Sequence, residues 1–378
     1  MFATRRWRSG LVIIVAVWAR MLLFCLISVF IVGAAFGSFL NVCVYRLPLE
    51  KSLLWPESRC GHCLQPIRWY DNIPLVSYWL LRGRCRDCQT PFSMRYFFVE
   101  LFTAVAFASL FYLEAVVNVL SIPFVEAHRG DFAHWNLPPW QIWLLFAYHA
   151  TLLCFLIVAS LVDTDHMEIP LTITLTGTVF GVFGSLFVGW PFPAGHVDVA
   201  PLGRGARLAD VRFDPGVVGW PVWYPLQLPT WLPQGSWQLG LATSLAGVAA
   251  GMLVLRAVRW LFGLGRGMEG LGIGDADLMM MAGSFLGWQA VLVAFFVSVV
   301  PGLVFGILHL VRRGNQALPF GPSLALGVMI TLLGWRVLGE VARPLFFEPL
   351  VLGFIGVVGP ILLLAISFVL RLVGGKGK

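Results

Sequence analysis

The sequence predicts an all-α fold, a polytopic helical membrane bundle. Of the 378 residues, 58% are hydrophobic and 12% are charged, whereas a soluble protein has roughly 45 to 50% apolar and about 25% charged residues. The apolar residues fall in runs close to the ~20 residues that a helix needs to cross a bilayer. The alternation of apolar and polar residues that a lipid-facing barrel strand requires is missing. A soluble globule and general intrinsic disorder are therefore excluded.

Eight apolar runs predict the membrane segments, and the sixth run is long enough to form two short ones. Gly283, Gly287 and the pair Pro301 and Gly302 interrupt that sixth run, and such residues bend or end helices. We therefore expect about eight or nine segments, and no internal repeat is evident. The candidate spans are 21–43, 97–119, 141–162, 170–190, 237–263, 278–311, 319–341 and 347–370.

Basic residues predict which side of the membrane each loop faces. Segment 45–96 carries eight Lys and Arg residues, and loops of this kind remain in the cytoplasm. Counting spans from there places 163–169 and 264–277 in the cytoplasm and loops 120–140 and 191–236 outside. The same rule accounts for the formal net charge of +7, so no nucleic-acid partner is expected.

The basic N-terminal tail does not fit this count, because Arg5, Arg6 and Arg8 precede the first span on its outer side. Either residues 11–20 add another pass or a re-entrant piece, or the larger basic loop overrules the tail. A cleavable signal peptide is a third interpretation. The lack of a small-residue cleavage site before Arg20 disfavours it.

Two Cys-x-x-Cys pairs predict a metal site in the basic loop. Cys60 and Cys63 form the first pair and Cys85 and Cys88 the second, with 21 residues between the pairs. Two such knuckles supply four thiolates, which is the tetrahedral ligand set of a structural Zn²⁺. The alternatives are disulfides or unused thiols, and His62 is more simply a neighbour than a ligand. Because four thiolates leave no open coordination position, the site is assigned to structure and not to catalysis.

Acidic residues mark the ends of two apolar runs. Asp163 and Asp165 follow the third run, and Asp275 and Asp277 begin the sixth. Acidic groups are costly in hydrocarbon and are often functional there. Two carboxyls at one membrane face can share a proton, so that one activates water while the other polarises a carbonyl, as in an aspartic protease. The alternative is that these aspartates only cap the helices that follow them.

Motifs in several parts of the chain resemble those of the type IV prepilin peptidase family. Gly272 and Gly274 precede Asp275 as in the Gly-x-Gly-Asp motif of this protease class, and glycines there permit unusual backbone angles and close approach of an extended substrate. The other matching segments are GSFLNVCVYRLP at 37–48, residues 60–74 and 82–85, residues 95–100, Gly283 with Gly287 and Trp288, and PFGP at 319–322.

The resemblance implies which aspartates are catalytic. The family's catalytic pair falls on Asp163 and Asp275, and Asp165 is the neighbour most easily confused with Asp163. The family usually has an acid where this chain has Leu171 and a lysine where it has Asp277. We expect Asp277 either to raise the pKa of Asp275 by like-charge repulsion or to weaken contact with an acidic part of the substrate.

The resemblance also implies the reaction and its partners. Members of the family cut the leader from prepilins and pseudopilins at the cytoplasmic face of the bacterial inner membrane. They then methylate the new amino terminus with S-adenosylmethionine. We therefore expect a tail and first span at 1–44, a four-cysteine zinc-binding domain associated with methyl transfer at 45–96, and a membrane peptidase domain at 97–378.

The sequence itself does not locate the methyl-transfer site, because it has no glycine-rich nucleotide-binding pattern. The site is expected within residues 37–100. Glu100 is a candidate for it, and an interfacial acid is the simpler interpretation.

Two other classes of function remain open on the residues alone. Membrane acids also bind protons or cations in transporters and channels, and a zinc domain can dock a non-catalytic scaffold to a secretion complex. Ion flux in proteoliposomes tests the first class, and Asn substitution of Asp163 and Asp275 tests the second.

Overall fold

The fold is helical throughout the part of the chain that the computed structural model describes. That part comprises residues 3–53, 55–128, 137–188, 231–232, 236–267, 272–313, 319–347 and 349–374. Extended pairing there is limited to two isolated β-bridges, so the predicted all-α class is confirmed. The predicted outward loop 191–236 lies mostly outside the described residues.

Eleven α-helices account for most of the described chain. In order they are α1 (Ala3–Arg46), α2 (Val76–Leu80), α3 (Arg95–Phe111), α4 (Pro123–Ala127), α5 (Trp140–His166), α6 (Leu171–Val188), α7 (Trp237–Arg266), α8 (Ile273–Leu286), α9 (Trp288–Arg313), α10 (Gly321–Phe347) and α11 (Pro349–Gly374). Short 3₁₀ helices at Leu47–Leu49 and Trp69–Asp71 and a π-helical turn at Tyr112–Val117 complete the set.

Seven helical stretches in the described part are long and apolar enough to cross a membrane, which confirms a polytopic membrane bundle. They are Arg20–Leu49, Arg95–Val117, Trp140–His166, Leu171–Val188, Trp237–Arg266, Trp288–Val311 and Gly321–Gly339. The predicted total of eight or nine segments is reached only when α8 and the shorter apolar stretch Gly353–Val369 within α11 are added.

The sixth predicted run divides at a glycine. Gly287 has a φ of 78°, a backbone angle that glycine adopts without steric cost, and it separates α8 from α9. With 14 residues, α8 spans about 21 Å at 1.5 Å per residue, less than the ~30 Å hydrocarbon core. Pro301 lies inside α9 and does not end it.

The N-terminal segment continues the first helix. The backbone of residues 11–20 is part of the unbroken helix α1. The prediction that these residues add a separate pass or a re-entrant piece is therefore wrong.

The chain forms two compact units. The first contains residues 1–118 and 125–150, and the second contains 119–124 and 151–378. The functional division at residues 44 and 96 stays a prediction, because these units reflect packing alone.

Small residues allow close helix packing inside each unit, as is common in membrane proteins. In the first unit Gly33 of α1 lies against Ala104 and Phe107 of α3. In the second unit Gly247 of α7 and Gly283 of α8 face each other so closely that a Cβ atom on either would lie 2.0 Å from the other's carbonyl oxygen.

The first unit also buries an acid and a histidine together. Glu114, on the π-helical turn after α3, is hydrogen-bonded through Oε1 to Nδ1 of His149 in α5. Both side chains are almost completely buried, with 2% and 0% of their surface exposed.

Candidate functional site: a thiol cluster and a pair of buried aspartates

The two Cys-x-x-Cys pairs lie in two loops that follow the same backbone path. In the first loop the N–H of Cys60 donates to the carbonyl of Gln65 and the N–H of Leu64 donates back to Cys60. Cys85 makes the equivalent bonds with Thr90 and Gln89. Both loops follow the pattern Arg-Cys-x-x-Cys-x-x-Pro, at 59–66 and 84–91. The expectation that the chain has no internal repeat is therefore wrong for this eight-residue unit.

The four thiols of these loops fit one metal ion. The Sγ atoms of Cys60 and Cys88 are 3.7 Å apart, those of Cys63 and Cys85 are 4.0 Å apart, and all four lie within 4.8 Å of one another. A tetrahedral Zn²⁺ with bonds of about 2.3 Å places its sulfurs about 3.8 Å apart. The predicted four-cysteine cluster is therefore confirmed. All four are free thiols, and His62 is not part of the cluster among the described residues.

Asp163 is buried near the C-terminal end of α5 and is held by the start of another helix. Its Oδ2 accepts a hydrogen bond of 2.7 Å from the backbone N–H of Gly321, the first residue of α10. Only 5% of its surface is exposed, whereas Asp165 is exposed. The structure thus separates the two aspartates that are most easily confused in the sequence.

Asp275 is the third residue of α8 and caps its own helix. Its Oδ2 accepts a hydrogen bond of 3.2 Å from the N–H of Gly272, and its exposed fraction is 8%. A Cβ atom on Gly274 would lie 2.9 Å from Cβ of Ile169, so the segment after α5 packs directly on the start of α8.

These contacts correct one of the two roles expected for the glycines of the Gly-x-Gly-Asp motif, the unusual backbone angle, whereas close approach of an extended substrate stays a prediction. Gly272 has a φ of −67°, and neither Gly272 nor Gly274 is among the residues with positive φ. Gly274 is required for close approach of the protein's own chain at Ile169 and not for an unusual backbone angle.

The two buried carboxyls interact electrostatically. Burial, and to a smaller extent the charge on Asp163, raise the pKa of Asp275 from an ordinary value of 3.8 to about 6, while the hydrogen bond from Gly272 opposes the rise. The like charge of Asp163 thus disfavours simultaneous ionisation of the two carboxyls.

Asp277 is neutralised from a neighbouring helix. Its Oδ1 lies 3.4 Å from Nη2 of Arg256 in α7, and its exposed fraction is 6%. Burial and Asp163 raise the pKa of Asp275, and Asp277 does not contribute to that rise. The expected like-charge repulsion is therefore not observed, and weaker contact with an acidic part of the substrate stays a prediction. Leu171, the other departure, is exposed at the start of α6.

Glu100 has a structural partner. Its Oε2 accepts a hydrogen bond of 2.8 Å from the N–H of Leu75, which has a φ of 65°. The carboxylate therefore joins α3 to the residue that precedes α2. This contact favours the simpler interpretation of Glu100 as a structural acid.

Two residues of the site were missed as participants by the sequence analysis, namely Gly321 and Arg256. Gly321 lies in the PFGP segment, which had been noted as a motif that resembles the family. Its hydrogen bond to Asp163 could not be predicted, because it depends on packing between distant parts of the chain. Arg256 was used only to predict the topology. The available signal was Asp277, because a buried acid needs a partner and no basic residue lies close to Asp277 in the sequence.

Comparison with known proteins decides the family. The family model described as Bacterial Peptidase A24 N-terminal domain matches residues 31–113, and the one described as Type IV leader peptidase family matches residues 223–307. A type 4 prepilin-like proteins leader peptide-processing enzyme from Escherichia coli O78:H11 is 30% identical over 318 residues, which cover 79% of this chain and 90% of the relative. The chain belongs to the type IV leader peptidase family.

Other members of the type IV leader peptidase family are similarly related. A prepilin leader peptidase/N-methyltransferase from Aeromonas hydrophila is 30% identical, over 81% of this chain and 89% of the relative. One from Myxococcus xanthus is 29% identical, over 76% of this chain and 64% of the relative. No solved structure matches the chain.

Membership in the type IV leader peptidase family makes the chain an aspartic peptidase and favours it over the transporter and scaffold alternatives. Together with its apolar helices, membership also makes it a multi-pass protein of the bacterial inner membrane.

Asp275 lies inside the second matched range, whereas Asp163 lies outside both ranges. The assignment of Asp163 therefore depends on geometry.

Proposed function

We propose that this chain removes the leader of prepilins or pseudopilins with Asp163 and Asp275 as its catalytic pair. Relatives named as prepilin leader peptidases support the substrate class. The observation that carries the catalytic assignment is the coupling of two buried carboxyls from separate helices, each held by a backbone N–H.

In the proposed reaction Asp163 is the base and Asp275 is the acid. The raised pKa of Asp275 favours its protonated form when Asp163 is ionised. The hydrogen bond from Gly321 occupies Oδ2 of Asp163 and leaves Oδ1 for a water molecule.

Hydrolysis then follows the order of an aspartic protease. Asp163 takes a proton from water as the water oxygen bonds to the scissile carbonyl carbon, and Asp275 gives its proton to the carbonyl oxygen. The tetrahedral intermediate then collapses: one of its two hydroxyls returns a proton to Asp275, the carbon–nitrogen bond breaks, and the leaving amine receives the proton held by Asp163. The net change is one peptide bond and one water converted to a carboxyl and an amine.

The proposed cleavage site is the cytoplasmic face of the membrane. Segment 45–96 is rich in arginine, and Arg256, Arg259 and Arg266 lie in the C-terminal part of α7, where the topology count predicts the cytoplasm. A prepilin helix that crosses the bilayer would reach the two aspartates at the point where it leaves the lipid.

The metal and methyl-transfer parts of the proposal have different support. The thiol geometry fits Zn²⁺ at Cys60, Cys63, Cys85 and Cys88, where the ion would stabilise the domain. N-methylation of the new amino terminus, with S-adenosylmethionine as methyl donor, is proposed from the relatives' names. Within the described residues of 37–100 there is no strand, glycine loop and helix unit for a nucleotide, so no residue is assigned to hold that cofactor.

The catalytic proposal is tested by Asp163→Asn and Asp275→Asn in proteoliposomes that contain a prepilin substrate. Each change should abolish cleavage, because asparagine keeps the size of the side chain but neither accepts nor donates the required proton. Mass spectrometry of the substrate's N-terminus provides the measurement.

Asp165→Asn is the matched control, since Asp165 is exposed two residues from Asp163, and it should retain cleavage. Zinc content and thermal stability identify variants that have failed to fold. Retained cleavage by either of the other two variants would remove this pair from the reaction.

A further inference from the structure

The short helix α2 of the cysteine-containing domain exposes an apolar face. Val76, Trp79 and Leu80 have exposed fractions of 48%, 61% and 69%. Positions i, i+3 and i+4 of a helix share one face, so these three side chains form a contiguous surface. Contiguous exposed apolar surface marks an interaction with protein or membrane.

The opposite side of α2 is fixed to the protein. Ser77 is buried, and the ring of Tyr78 packs edge-on against Phe92 with centroids 5.5 Å apart. The hydrogen bond from Leu75 to Glu100 ties the residue before α2 to α3. The orientation of α2 is therefore fixed by contacts of Leu75, Ser77 and Tyr78. Its apolar face is exposed on a segment that is firmly attached to the protein.

The exposed face of α2 continues onto a membrane-spanning helix. The Trp79 ring contacts Phe97 at the start of α3 with centroids 5.6 Å apart, and Phe97 contacts Phe98 at 5.8 Å. Phe98 and Phe102 of α3 are more than half exposed, at 57% and 59%, and they lie four residues apart on one face. Because α3 is a candidate span, this face meets lipid, and Trp79 extends it beyond the end of the helix.

Basic residues lie near α2 in the sequence. Arg82 and Arg84 follow α2 directly, Arg95 begins α3, and all three are exposed. Tryptophan and arginine together at the end of a spanning helix are typical of segments at the bilayer interface. There the indole ring lies at the boundary of the acyl chains and the guanidinium group binds lipid phosphate.

We propose that α2 is an interfacial anchor whose residues Val76, Trp79 and Leu80 insert into the headgroup boundary of an anionic bilayer. The anchor holds the cysteine-containing domain against the membrane surface. Continuity with the lipid-facing side of α3 and the charge of the flanking arginines favour lipid over a second polypeptide as the occupant. The inference is independent of the catalytic proposal, because it uses none of the residues of the aspartate pair.

The test places the photocrosslinker p-benzoylphenylalanine at position 79 of the full, zinc-loaded chain in lipid nanodiscs containing phosphatidylglycerol. Trp69 is the matched control position, because it is 80% exposed in the same domain, and its ring packs edge-on against Tyr70 rather than against α3. Mass spectrometry should find covalent phospholipid adducts at position 79 several-fold above those at position 69. Leu80 is a second position for the probe if substitution of Trp79 impairs folding.

Lipid charge supplies the second arm of the test. Replacing phosphatidylglycerol by phosphatidylcholine, or combining Arg82→Glu with Arg84→Glu, should lower the adduct yield at position 79 by several-fold. Equal yields of phospholipid adducts at positions 79 and 69 would overturn the anchor proposal. A yield at position 79 that does not change with lipid charge would also overturn it. Adducts at 79 that form with a co-reconstituted prepilin in place of lipid would also overturn it and would assign the surface to substrate.

Discussion

Gly321 positions Asp163, the base of the proposed reaction, through one backbone N–H. A Cβ atom at this position would lie 2.7 Å from Oδ2 and 3.1 Å from Cγ of Asp163. The first distance is too short for a real contact and the second is tighter than most, so a side chain at 321 displaces the carboxyl that Gly321 now holds by a hydrogen bond. Glycine is required there to let the start of α10 reach the aspartate.

Gly321→Ala should therefore lower the turnover number for prepilin cleavage by roughly 100-fold, the usual cost of a displacement near 1 Å in a catalytic group. The Michaelis constant should change little, because the substrate-binding surfaces are untouched. Steady-state kinetics in proteoliposomes measure both constants.

Gly334→Ala is the control in the same helix, since its nearest contact is a terminal methyl of Leu338 at 3.3 Å. Its turnover number should stay close to that of the unchanged enzyme. Equal activity of the two variants would show that Gly321 does not position Asp163.

Helices α7 and α8 depend on the mutual approach of their backbones. The facing atoms at Gly247 and Gly283 belong to carbonyl groups, which cannot rotate away as a side chain can. The buried hydrogen bond from Ser244 Oγ to the carbonyl of Ser284 supports the same contact. The position of Asp275 on α8 is thus set partly by residues two turns further along that helix.

Gly283→Ala should separate α7 from α8 and destabilise the protein by about 1 to 3 kcal/mol, the usual cost of overpacking. The midpoint of thermal unfolding in detergent should fall, and cleavage should fall with it. Gly263→Ala in α7 is the control, because a Cβ atom there meets nothing within 4 Å. That control should be neutral or slightly stabilising, since alanine favours helix more than glycine does. Equal midpoints for the two variants would contradict the packing account.

The cysteine-containing loops have little regular secondary structure. Within the described residues, their extended pairing consists of the bridges Arg59 to Pro66 and Arg84 to Pro91. Structural zinc supplies folding free energy in small domains of this kind.

Purified protein should contain about one Zn²⁺ per chain, and Cys88→Ser should lose it. Limited proteolysis should then cut between residues 59 and 91, where the intact protein resists. Cys154→Ser, a thiol outside the cluster, should keep both the metal and the resistance. Full metal content in the Cys88 variant would disprove four-thiolate binding.

The stability of the whole molecule should depend on pH through Asp275. Its pKa is about 6 in the folded protein against an ordinary 3.8, so the folded state binds this proton more tightly than the unfolded state. The unfolding free energy therefore decreases as pH rises from 3.8 through about 6. The full loss is about 3 kcal/mol, from 1.36 kcal/mol for each of the 2.2 pH units.

Asp275→Asn should consequently raise the unfolding midpoint at about pH 8 and change it little at about pH 4, since only the ionised carboxyl is penalised. Asp165→Asn, at an exposed aspartate two residues from Asp163, provides the comparison. A stabilisation by Asp275→Asn that is the same at both pH values would mean that ionisation is not its cause. Thermal unfolding followed by intrinsic fluorescence measures each midpoint.

Much of the fold was predictable because it depends on local sequence. Run length alone located the seven stretches that are long and apolar enough to cross a membrane, and the spacing of two Cys-x-x-Cys pairs identified a cluster that the structure confirms. The boundary between α8 and α9 was less certain, since a glycine ends a helix only when it adopts an angle such as the 78° of Gly287. Sequence shows the glycine but not its angle.

Contacts between distant helices were not predictable in the same way. Gly321 with Asp163, Arg256 with Asp277 and His149 with Glu114 each join separate helices. Which side chains meet depends on how each helix is rotated about its axis, and nearly all-apolar helices carry little amphipathic pattern to specify that rotation. The aspartate pair was anticipated from family motifs, whereas its supporting contacts required the structure.

The repeated loops at 59–66 and 84–91 make the metal shell modular. Each eight-residue cassette contributes half of the ligands and makes the same backbone bonds. The connecting stretch 67–83, which carries α2, has no counterpart in this repeat, so each metal shell presents α2 once.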